Sequence, residues 1–112
     1  MKLALKIIGG LVLGLLVLIV GTYLALRRPD IPFETLEAKY ANSASHYLDL
    51  PDGIRVHYRD QGNRSGPVLV LVHGFSASLH TWEPWVQRLG DRYRIITLDL
   101  PGHGLTRAPA AY

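Results

Sequence analysis

Apolar and polar positions divide this chain into three stretches of different character. From Ile7 to Leu26 twenty residues run without a charge and without a polar face. At about 1.5 Å per helical residue such a run crosses a hydrocarbon core of roughly 30 Å. The pattern therefore predicts a transmembrane helix within residues 1–28, bracketed by Lys2 and Lys6 on one side and Arg27 and Arg28 on the other. A cleaved signal peptide fits less well, because its apolar region is only about 7–15 residues long and ends in a small-residue cleavage site. A buried core helix would show a polar face. Residues 29–45 open with Pro29-Asp30-Ile31-Pro32 after Arg28, and each proline disfavours helical geometry in the residue before it. This stretch is expected to be a linker, with at most a short amphipathic turn over Glu34 to Tyr40.

From residue 46 onward the period changes again. His46 to Leu50 and Ile54 to Arg59 flank Pro51-Asp52-Gly53, where proline presets φ and Asp-Gly tolerates the positive φ of a tight turn. Ile54, Val56 and Tyr58 alternate with Arg55, His57 and Arg59, which predicts a strand with its apolar face buried. Val68 to Val72 is continuously apolar, the pattern of a parallel strand covered on both faces. A helix is expected next, with Thr81 as N-cap, Pro84 in the first turn and Gly90 ending it. Trp82, Trp85, Val86 and Leu89 then fall on one stripe and are read as core. Arg94 to Asp99 is the following strand. A hairpin plus a βαβ crossover makes this an α/β arrangement with ligand-facing loops at the carboxyl ends of its strands.

Composition adds limits. The 112 residues contain no cysteine, so there are no disulfides to staple a small domain. The net charge of +3 comes from scattered arginines and the flanks of the apolar run, without the basic stripe that nucleic-acid binding needs. His46, His57, His80 and His103 lack metal-ligand spacing, and nothing points to a metal or a cofactor.

Two glycine-marked loops follow the strands: His73-Gly74-Phe75-Ser76 and Asp99-Leu100-Pro101-Gly102-His103-Gly104-Leu105-Thr106. With the apolar strand before the first and the Trp-containing helix between them, they resemble the front half of the α/β-hydrolase family over roughly Tyr47 to Thr106. The resemblance implies the N-terminal portion of an α/β-hydrolase sheet after one transmembrane helix, with residues 46–112 as an incomplete domain holding the first four strands and first helix. It implies that the backbone N–H of Phe75 contributes to an oxyanion hole, with Gly74 letting the backbone approach the oxyanion. His73, Asp99, Gly102, His103, Gly104 and Thr106 are expected to support the site loops structurally; Thr106 can hydrogen-bond backbone. The family's base comes from a later loop, so His73 is not read as the base. Ser76 lacks the second glycine of G-x-S-x-G and is not read as the nucleophile. No catalytic residue is therefore expected in these 112 residues. The nucleophile (Ser, Asp or Cys), the acid and the His are expected further along a longer chain.

The resulting expectation is the front fragment of a membrane-anchored hydrolase acting on an ester or similar small-molecule bond, inactive by itself. The basic residues flanking the apolar run are nearly balanced. Similarity to bacterial hydrolases that begin with an apolar anchor favours a cytoplasmic N-terminus and an exported domain. The alternative is a short, non-catalytic membrane protein with a hydrolase-like binding half. Against it stands the family strand order 1-2-4-3-5, which leaves Val68 to Val72 as an apolar edge.

Overall fold

The computed structural model describes residues 1–110; the last two positions of the domain drawn to residue 112 lie outside the described residues. The described chain falls into two units, one ending at Ile31 and the other starting at Pro32. The first is essentially one α-helix, α1 (Lys2–Leu26), of 25 residues. It is long and apolar enough to cross a membrane, and none of its side chains is buried.

The second unit begins within the stretch expected as a linker, at helix α2 (Phe33–Tyr40). Four strands follow: β1 (Ser45–Asp49), β2 (Arg55–Gly62), β3 (Val68–Val72) and β4 (Arg94–Leu98). They form one mixed sheet in the order β1-β2-β4-β3. β1 pairs antiparallel with β2, β2 antiparallel with β4, and β3 parallel with β4. The β1–β2 turn forms as its residues dictate: Gly53 takes φ 84°, its N–H bonds to the Leu50 carbonyl, and Asp52 Oδ1 accepts from the Ile54 N–H.

One face of this sheet is covered and the other is not. The covered face carries Ile95, Thr97 and Asp99 of the β4 line and His57 and Arg59 of β2, all buried. This corrects the expectation for β2, whose apolar residues Val56 and Tyr58 are only half-buried. The helix and loops pack on the polar side of β2, and hydrogen bonds to them engage the His57 ring and the terminal nitrogens of Arg59, while Arg59 Nε has no partner among the described residues. Arg59 donates to Glu83 Oε1 (2.9 Å), to the Tyr40 carbonyl (2.8 Å) and to His80 Nε2 (3.2 Å), tying three segments to the sheet. β3 is likewise covered on one face only: Val68, Val70 and Val72 are about half exposed or more.

The helical crossover differs from its prediction at its start and ends at Gly90 as expected. A 3-10 turn, Leu79–Trp82, comes first, so Thr81 lies inside it and caps nothing; α3 (Glu83–Leu89) starts two residues later with Pro84 in its first turn. Trp82, Val86 and Leu89 face inward as the stripe predicts, while Trp85, at the margin of that stripe, stays 53% exposed, against the expectation of core packing. Leu79, on the 3-10 turn, is buried instead. Gly90 ends α3 in ordinary right-handed geometry (φ −60°). It approaches Gly62 closely, and its carbonyl accepts from the Asn63 N–H.

Candidate active site

The loops after β3 and β4 lie at the same end of the sheet, because the two strands are parallel neighbours. They are cross-braced by two side chains. His73 is buried; its Nδ1 bonds to the Gly74 carbonyl (2.8 Å) and its Nε2 accepts the Leu100 N–H (3.0 Å). That pairing assigns the ring proton to Nδ1 and leaves Nε2 engaged with an amide. His73 therefore has no lone pair free for base catalysis.

Asp99 braces in the other direction. Its Oδ1 accepts the Leu79 N–H (2.8 Å), and its Oδ2 accepts the Leu105 N–H (2.9 Å) and His57 Nδ1 (2.8 Å). Burial pushes this carboxyl up, but the hydrogen bonds from His57 and from the Leu105 and Leu79 amides outweigh it. The net result holds Asp99 below the ordinary carboxylate range. Thr106 completes the junction: its hydroxyl donates to the Asp99 carbonyl (2.6 Å) and accepts the His57 N–H (2.9 Å). Gly104 is required here twice over. Its φ is 52°, and a Cβ at that position would land on the Asp99 carboxylate. Gly102 also takes a positive φ (76°). The His103 ring lies tilted to that of His73 (5.2 Å between centroids) and edge-on to that of Phe75 (6.4 Å).

Above these braces sits Phe75, whose side chain is 93% exposed. Its backbone N–H has no hydrogen-bond partner among the described residues. A Cβ built on Gly74 would meet nothing within 4 Å. A free amide beside open space at a strand's carboxyl end is able to donate to an incoming carbonyl or anion. Ser76, next along, is the one non-glycine residue with positive φ (54°) among the described residues. Its hydroxyl makes no hydrogen bond to a base there, so the strain comes without activation. A separate concavity of about 360 Å³, lined by Leu36, Tyr40, Ser78, His80, Gly104 and Leu105, does not include the Phe75 amide. No group of three or more His, Cys, Asp or Glu placed to hold a metal occurs among the described residues.

Sequence reasoning missed His57 and Ser45. His57 is fully buried, with Nδ1 on Asp99 and Nε2 2.8 Å from Ser45 Oγ. The available signal was that the polar positions of β2 hold an imidazole and a guanidinium two residues apart. Both can reach several partners at once, so both suit a buried face.

The sequence profile of the alpha/beta hydrolase fold matches residues 67–112. An uncharacterized hydrolase of Saccharomyces cerevisiae is 36% identical over 67 residues, which is 60% of this chain and 23% of that protein. Human epoxide hydrolase 4 is 38% identical over 64 residues, 56% of this chain and 18% of the relative. Among solved structures, an esterase from Rhodococcus superposes with a TM-score of 0.55 at 39% identity, covering 59% of this chain and 24% of the esterase. The chain thus spans about a quarter or less of the length of these three relatives. Strand order, loop placement and sequence similarity agree: these residues have the fold of the front part of an α/β-hydrolase.

Proposed function

We propose that the His73–Ser76 loop is the oxyanion side of a hydrolase active site. The bond cleaved is an ester or a similar small-molecule bond. The Phe75 amide donates to the oxygen that gains charge, and Gly74 leaves room for it. The nucleophile, acid and His are supplied by chain outside these 112 residues, and Lys2–Leu26 anchors the protein in a membrane with the domain on the exported side. One observation carries this reading: the Phe75 amide, unpartnered among the described residues, lies beside a glycine that packing among those residues does not require. The relatives named hydrolase, epoxide hydrolase and esterase support the reaction class but differ in substrate, so the class is as far as they reach.

The first test is the intact mass of the protein isolated from its native membranes. A mass well above the 12.5 kDa of these residues is expected, and 12.5 kDa would overturn the reading. In the longer protein, Gly74→Ala is expected to leave the packing of these residues unchanged, because the added methyl meets nothing within 4 Å among them. It should lower kcat/KM by about 10²-fold, the range seen when one oxyanion donor is lost. An unchanged kcat/KM would remove Phe75 from the role.

A further inference from the structure

A second arrangement with chemical capacity lies away from the His73–Ser76 loop, where β1 begins. Ser45 Oγ lies 2.8 Å from His57 Nε2, and His57 Nδ1 lies 2.8 Å from Asp99 Oδ2. Asp99 is an ionised acceptor, filled otherwise by two backbone amides, so it has no proton to give. The shared proton therefore sits on His57 Nδ1. In the neutral ring Nε2 is then an acceptor, and the hydroxyl that faces it must be the donor. Ser45 Oγ also accepts the Asn42 N–H (3.1 Å), which fixes its orientation. One lone pair remains uncommitted on an oxygen whose proton already points at a base.

We infer that Ser45, His57 and Asp99 form a nucleophilic relay, in which Ser45 is an activated hydroxyl open to acylation or phosphonylation by small electrophiles. The parts are those of nucleophilic catalysis: a hydroxyl, an imidazole within hydrogen-bond reach and a carboxylate orienting the imidazole. Access comes from the sheet margin. β1 is the edge strand, and Ser45 is half-buried while His57 behind it is fully buried. With a fluorophosphonate the step balances simply. The Ser45 oxygen forms a bond to phosphorus, the phosphorus–fluorine bond breaks, fluoride leaves, and the hydroxyl proton passes to His57 Nε2. The Asp99 carboxylate stabilises the imidazolium. Because Ser45 itself covers Nε2, a modified Ser45 shields the base from water. The adduct is therefore expected to persist, and the site takes one equivalent without turning over.

The test uses the full 112-residue chain in detergent micelles with a biotinylated fluorophosphonate, read by peptide mass spectrometry. Ser43, Ser65 and Ser76 are more exposed than Ser45 and serve as internal controls. The expected result is an adduct on Ser45 ahead of those three, slowed by about 10²-fold or more in His57→Gln, as for loss of a general base. No adduct on Ser45, or labelling that simply follows exposure, would overturn the inference. If His57→Gln does not fold, the comparison moves to Ser45→Cys and Ser43→Cys, each alkylated by iodoacetamide at pH 6. Faster alkylation at position 45 supports the relay, and equal or slower alkylation overturns it.

Discussion

At the scale of single residues, Asp99 carries the largest share of the local order. One carboxylate receives an amide from the first loop, an amide from the second and an imidazole from β2. Hydrogen bonds to a charged group are worth about 1.5–3 kcal/mol each. The sign of the pH effect follows from its depressed pKa. An unfolded Asp titrates near pH 3.9, so the stability Asp99 contributes is complete above that value. It is lost as the pH falls through the lower folded pKa. Asp60, held down chiefly by its hydrogen bonds from Arg94, adds a loss of the same sign. Thermal melts from pH 6 to pH 2 should therefore show Tm falling below about pH 4. Asp99→Asn should lower Tm already at pH 6, by an amount worth about 3 kcal/mol, and show a shallower acid limb. An acid limb identical to that of the unsubstituted chain would assign the effect elsewhere.

At the scale of elements, what the sequence disclosed and what it hid have separate physical causes. The β1–β2 turn was legible because Pro51, Asp52 and Gly53 act locally, through φ and a side-chain bond two residues away. The β3 and β4 strands were legible from apolar runs bounded by glycine. Which face of β2 is covered was not, since a period of two marks two faces without saying where α3 will pack. Similarly, the stripe Trp82, Trp85, Val86, Leu89 holds at three positions, and Trp85 lies at its margin, where helical spacing alone does not say how far the covered face extends. In the site, His73, Asp99 and Thr106 were found through their motif, whereas Ser45 and His57 depend on pairing between strands distant in sequence. The difference between the two tryptophans makes a direct prediction. Trp82→Ala should cost about 2–3 kcal/mol, toward the lower end of large-to-small core changes. Trp85→Ala should cost less than about 1 kcal/mol, as for a surface change. Equal losses in denaturant titrations would restore the original stripe.

At the scale of the whole molecule, the described sheet has one finished face and one open one. Leu48, Val68, Val70 and Val72 are exposed on the open side, and Val56, Tyr58, Ile96 and Leu98 lie among them half-buried. β3 is also an edge strand with unpaired backbone groups. Apolar surface beside an unpaired edge promotes association. The 112-residue chain in detergent is accordingly expected to sediment as more than a monomer. Val70→Lys, which puts a charge in the middle of the β3 edge, should shift it toward the monomer with little change in Tm. Association that survives the substitution would point instead to the α1 helix, which carries Gly10 and Gly14 at GxxxG spacing.

The two tryptophans also give the protein its own optical gauge. Trp82 faces inward, with its indole nitrogen buried, and Trp85 stands half in water three residues away. Emission from the native chain is therefore the sum of a blue component and a red one. Iodide is expected to quench the red component more strongly, and unfolding to displace chiefly the blue. A single spectrum thus follows the packing of α3 on the sheet, with no label attached.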